Sequence, residues 1–147
     1  MRKNIPVMLI VIFLLGGAVF FGMNAYAVEG SENAQPAAND KLVLSEVIMC
    51  EKIVNELPQN PSVVFPVSVK NAYCYTVFGN VPEKTDIWHR WYRRDKLVTK
   101  IKLVVEPPRW ATYSGIHIRE SDKGPWRVEV IDQEGNVLTV KRFSISE

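Results

Sequence analysis

From residue 60 to the end of the chain, apolar and polar side chains alternate with a period of two, in runs rich in Val, Ile, Trp, Tyr, Phe and Thr that break at Gly, Pro and Asn. Only an extended backbone sends successive side chains to opposite faces, so this pattern restricts the chain to half-buried strands. The runs fall at residues 63–69, 72–78, 85–93, 97–106, 110–118, 125–132 and 137–145. Residues 42–54 read as either a first strand or a short helix, with strand preferred. Seven to eight short strands at this spacing predict an all-β fold, an antiparallel β-sandwich of immunoglobulin-like arrangement.

The stretch Thr85-Asp86-Ile87-Trp88-His89-Arg90-Trp91-Tyr92-Arg93-Arg94 carries the most information, because its two faces differ. Ile87, His89 and Trp91 share one side; Trp88, Arg90, Tyr92 and Arg94 share the other. Burying two arginines costs more than burying one histidine, so the Ile87/Trp91 side is expected in the core. In the next strand Lys100 and Lys102 must face out. An odd-length loop, Arg94-Asp95-Lys96, would bring both outward sets onto one hairpin face, with Trp88 opposite Lys102 in a cation–π pair and Arg90 opposite Lys100. The outward platform Trp88, Arg90, Tyr92, Lys100 and Lys102 is the ligand-binding candidate, since exposed rings among basic donors suit stacking on sugars or holding an acidic polymer. Under the competing reading the rings pack beneath a loop and the charges only solvate the face. Farther on, Asp132–Asn136 turns the chain with Gly135 at positive φ, and the alternation slips near Lys141, which a bulge explains.

The N-terminus sets the compartment. Arg2 and Lys3 precede an uncharged, mostly apolar run from Ile5 to Phe21, and Ala25-Tyr26-Ala27 is a small-x-small cleavage signature. Residues 1–27 are expected to be a secretory signal peptide, or an N-terminal anchor if retained, which would be the chain's membrane contact. The protein is then periplasmic or secreted, or membrane-anchored if the segment stays. Residues 28–41 are small and polar and form a flexible linker. Residues 42–147 form the β domain, enough for one core. Of the 18 basic residues two lie in the leader, which leaves 16 basic against 16 acidic residues in the mature chain. That balance argues against nucleic-acid binding.

Cys50 and Cys74 are the only cysteines, and both lie in the exported part. An oxidising compartment favours a disulfide between them, closing a loop of about 25 residues and worth about 3–4 kcal/mol. Buried free thiols are the alternative. No His-Glu-x-x-His spacing, no Gly-x-Ser-x-Gly elbow and no Gly-rich phosphate loop occurs, so no metal, cofactor or catalytic residue is assigned. A secondary polar cluster of His89, Thr112, Tyr113 and Ser114 is the nearest approach to a chemical site.

The ordered set Cys50…Phe65-Pro66-Val67…Cys74-Tyr75-Thr76, Ile87-Trp88-His89-Arg90-Trp91-Tyr92, Trp110-Ala111-Thr112-Tyr113-Ser114, and Gly124-Pro125-Trp126-Arg127-Val128-Glu129-Val130 with Gly135, Leu138 and Phe143 resembles the bacterial domain of unknown function 2914 family over about residues 46–146. The chain departs from the family pattern at Ala111 and at Gly115-Ile116. The resemblance implies a small β-rich, envelope-associated domain with no established activity, and it groups His89 with Trp91. The expected function is a non-catalytic, exported binding or accessory module of the bacterial cell envelope, engaging glycan or an acidic ligand through the aromatic/basic strand face. The first alternative is a structural or assembly partner of another envelope protein. The second is a hydrolase with a site near His89.

Overall fold

The computed structural model describes residues 40–147. The expected signal segment, 1–27, and the linker as far as residue 39 lie outside the described residues. Among the described residues there are nine strands: β1 (Val43–Val54), β2 (Leu57–Pro61), β3 (Val64–Pro66), β4 (Asn71–Asn80), β5 (Thr85–Arg93), β6 (Lys96–Val105), β7 (Trp110–His117), β8 (Gly124–Ile131) and β9 (Val137–Ser146). They form two sheets, a four-stranded one in the order β2-β1-β4-β7 and a five-stranded one in the order β3-β9-β8-β5-β6. The order β9-β8-β5-β6 is that of the G-F-C sheet of an immunoglobulin-like sandwich extended by one further strand. All pairings are antiparallel except β3 with β9, which is parallel. No helix among the described residues is long and apolar enough to cross a membrane.

Residues 42–54, left open between strand and helix, are the strand β1. The stretch 63–69 is only partly extended, because the chain leaves β3 at Pro66 and makes a short 3-10 turn over Val67–Val69 that ends at Lys70 in the left-handed region, φ 68°. β2 was not foreseen. Its two prolines, Pro58 and Pro61, read as strand breakers, yet they are tolerated because β2 pairs on one side only and lies at the sheet edge.

The core is the filled space between the sheets. Met49, Ala72, Cys74 and Phe78 enter it from the four-stranded sheet, and Phe65, Ile87, Trp91, Val128, Val130 and Ile145 from the other. Phe143 sits at the centre of an aromatic group: its ring meets Phe65 edge-on at 5.6 Å and Trp91 edge-on at 5.8 Å, and stacks on Trp126 at 6.0 Å. Such ring pairs add about 0.5–1.5 kcal/mol each beyond the area they bury.

The β5–β6 register is the expected one, Trp88 opposite Lys102 and Arg90 opposite Lys100, but it is reached differently. The turn has two residues, Arg94 and Asp95, both at positive φ (44° and 64°), and a bulge between Trp91 and Tyr92 leaves Val98 unpaired. The bulge supplies the odd residue that was assigned to the loop. In β9 the ladder is regular through Lys141: Val140 faces outward opposite Glu129, and the irregularity is an unpaired Leu138, between the pairs Val130–Thr139 and Ile131–Val137. Gly135 takes φ 92° in the turn, as expected.

Candidate functional site

Pleating of β5 buries Ile87, His89 and Trp91 completely and leaves Trp88, Arg90 and Tyr92 half-exposed on the outer face of the five-stranded sheet. Lys100 and Lys102 stand exposed beside them on β6. All five residues of the expected platform therefore share one face. Their contacts differ in detail from those expected. The Lys100 ammonium, not that of Lys102, lies over the Trp88 ring, 4.7 Å from its centroid, while Lys102 pairs with Asp86 at 2.7 Å.

The topology also brings β8 and β9 alongside β5, which strand parity alone does not reveal. The outer face then runs in rows: Lys102, Trp88 and Ile131; Lys100, Arg90, Glu129 and Val140; Tyr92, Arg127 and Arg142. The Arg127 guanidinium stacks on Tyr92, 4.0 Å from the ring centroid. It is held there by Glu129, which accepts from Nε at 3.1 Å, and by Asp95, which accepts from a terminal nitrogen. The hydrogen bond that Arg127 donates to Glu129 first, and then the charges of Glu129 and Asp95, hold the Arg127 pKa above its ordinary value. Arg127, Arg142 and Asp95 are site neighbours missed by reasoning strand by strand. The signal was there in the outward parity of Arg127 and Glu129, but it became usable only once β8 was known to lie beside β5.

The polar cluster is assembled only in part. Ser114, on β7, points inward across the core to the other sheet: His89 Nδ1 lies 2.8 Å from its Oγ, and Trp91 Nε1–H donates to the same oxygen at 3.0 Å. Thr112 lies two residues along the same strand face, opposite Thr76, whose hydroxyl donates to the Thr112 carbonyl at 3.2 Å. Tyr113 does not join them. As the residue between Thr112 and Ser114 it faces the other way, where its ring meets Tyr73 edge-on at 6.2 Å. His89 and Ser114 are 0% and 5% exposed, so the pair works as a bridge between the sheets and offers no opening to a substrate. Burial lowers the His89 pKa to about 4, so the ring is neutral at physiological pH.

The Cys50–Cys74 disulfide is a correction. Both cysteines are free thiols, and the register Met49–Cys74 and Cys50–Tyr73 gives the reason. Directly opposed residues share a face, so Cys74 lies with Met49 in the core and Cys50 lies with Tyr73 on the far side of the sheet. Burial first, and the neighbouring Cys50 second, push the Cys74 thiol up to about 12. Among the described residues, no group of three or more His, Cys, Asp or Glu is placed to hold a metal ion.

No curated protein matches the chain. A solved structure that it resembles is a beta-D-glucoside glucohydrolase from Trichoderma reesei, with 13% identity and a TM-score of 0.36; the similarity covers 74% of this chain and 19% of that one. Residues 84–145, from the start of β5 nearly to the end of β9, match the family model described as a protein of unknown function (DUF2914), so the resemblance carried by His89-Arg90-Trp91-Tyr92, Trp110–Ser114 and Gly124–Val130 is found over this part of the chain.

Proposed function

We propose that this domain is a non-catalytic, exported binding module of the bacterial cell envelope that takes an acidic glycan on the outer face of its five-stranded sheet. One observation carries the reading: Trp88 and Tyr92 lie half-exposed in line along β5, each with a cation against its ring, in a surface that also presents Arg90 and Lys102. Sugar rings stack on aromatic faces through their C–H groups, and surface cations supply the charge complement for uronates or phosphates. Lys100 is exposed and flexible, so it can move aside from Trp88 and pair with a ligand carboxylate.

The test is co-sedimentation of the purified protein with isolated envelope fractions, wild type against Trp88→Ala/Tyr92→Ala, at low and physiological salt. Binding to a protein-free polysaccharide fraction that weakens with salt and is lost in the double variant supports the reading. Absence of binding to that fraction rejects it.

A second reading, an assembly partner of another envelope protein, is favoured by a different observation. β6 pairs on one side only, and Leu97, Val98 and Val104 are exposed along it. Saturable binding confined to fractions that retain protein would transfer the assignment to this reading.

A further inference from the structure

Beyond the platform, the same face ends in a cleft of about 260 Å³ between the β5–β6 turn and the start of β8. Three arginines line it, Arg94 from the turn, Arg127 from β8 and Arg142 from β9, together with Asp95, and Glu129 pairs with Arg127 from outside the lining. Tyr92 and Trp126 form its walls. Arg127 is already committed, stacked on Tyr92 and hydrogen-bonded to Asp95 and Glu129. Arg94 and Arg142 are exposed and have no ion-pair partner among the described residues. Arg142 stands directly across from Arg127 in the β8–β9 ladder, and since Asp95 and Glu129 already offset the Arg127 charge, the unpaired cations of the cleft are Arg94 and Arg142.

The Arg94 side chain is also placed by the backbone. Its amide donates to the Pro125 carbonyl at 3.1 Å, and Gly124, at φ 118°, has no Cβ where the guanidinium passes. An arginine docked over a glycine, in a cleft that a second unpaired arginine also lines, brings two planar forks to one small volume, and such forks suit oxyanions.

We propose that this cleft is an oxyanion-binding subsite, in which Arg94 and Arg142 grip a phosphate or carboxylate group while Arg127, locked on Tyr92 by Asp95 and Glu129, forms its rigid back wall. The proposal deepens the acidic-glycan reading and shares Tyr92 with the platform, but its gripping residues, Arg94 and Arg142, lie outside the platform, so the two can fail separately when Tyr92 is left in place.

The test is calorimetric titration of the full chain with inorganic pyrophosphate and with tri-galacturonate at low salt, on wild type, Arg94→Gln, Arg142→Gln and Trp88→Ala/Lys100→Ala. The expected result is saturable 1:1 binding of at least one probe, weakened at least tenfold by either arginine substitution. Pyrophosphate alone would identify a phosphate-bearing ligand and tri-galacturonate alone a carboxylate-bearing one; both would identify a general oxyanion site. Pyrophosphate or tri-galacturonate affinity retained within about twofold in Trp88→Ala/Lys100→Ala, and lost in the arginine variants, places the anion in the cleft even if the platform binds no glycan. No saturable binding of either probe, binding indifferent to both arginine substitutions, or binding lost equally in the platform variant overturns the proposal. Circular dichroism of each variant establishes that a lost affinity is not lost folding.

Discussion

Trp88, Trp91 and Tyr92 are close neighbours in the chain, yet pleating gives them different roles. Trp91 is fully buried, meets Phe143 edge-on, and supplies one of the two groups that hold Ser114 across the core. Truncating it removes a large core side chain and leaves a serine hydroxyl short of a donor. Trp91→Ala should therefore cost about 3–5 kcal/mol, enough to lower the melting temperature of a domain this size by more than about 10 °C. Trp88→Ala/Tyr92→Ala gives up two cation–π contacts and partial burial, a loss of about 1–2 kcal/mol. Thermal unfolding of the two variants separates the roles, and equal losses would contradict the assignment of faces. The face assignment was legible because arginine and lysine are so costly to bury that one strand's parity decides it. The partners were not, since Arg127 reaches Tyr92 only through a strand order that no local pattern encodes. The cysteines failed for a related reason: compartment and count suggest a disulfide, but a one-residue offset in register puts the thiols on opposite faces.

At the scale of elements, the strands were readable and their turns were not. Two hairpins, β1–β2 and β5–β6, close through two-residue turns with both residues at positive φ, Asn55-Glu56 (49° and 63°) and Arg94-Asp95 (44° and 64°). Such turns ordinarily announce themselves as Asn-Gly or Asp-Gly, because glycine takes this conformation without a Cβ clash. Here glutamate and arginine occupy it, so the sequence signal was missing and β2 went unseen. Sheet pairing imposes the turn from outside and absorbs its strain of about 1 kcal/mol per residue. Glu56→Gly should release part of that strain, since the Glu56 side chain is exposed. The expected gain is about 0.5–1 kcal/mol, a rise of a few degrees in melting temperature. A fall on thermal unfolding would show that the turn is not held at positive φ. Arg94 and Asp95 are poor sites for the same replacement, because their side chains line the cleft and Asp95 also holds Arg127.

At the scale of the whole molecule, the two sheets are joined through apolar packing and through a buried polar bridge, His89 and Trp91 on β5 to Ser114 on β7. Trp91 Nε1–H donates to Ser114 Oγ, and the same oxygen shares a hydrogen bond with His89 Nδ1 whose direction follows the tautomer of the neutral imidazole. Nε2 is buried without a partner. Protonating this ring would place a charge in the core, so burial holds its pKa at about 4, against 6.5 for an ordinary histidine. Above pH 6.5 the ring is neutral whether the chain is folded or not, and the stability it permits is fully present. As pH falls through 6.5 the unfolded chain takes up the proton first, so stability declines, and the decline ends only below the folded pKa near 4. A gap of this size corresponds to about 3 kcal/mol, a substantial fraction of the 5–15 kcal/mol typical of a domain. Urea unfolding at intervals from pH 7 to pH 4 should show this loss in the wild type and a shallower one in His89→Gln, the carboxylates contributing alike to both. The His89 ring-proton resonance gives a direct reading that does not depend on how well the variant folds. If it titrates near pH 6.5 in the native protein, the ring is in contact with water and the bridge between the sheets is not closed.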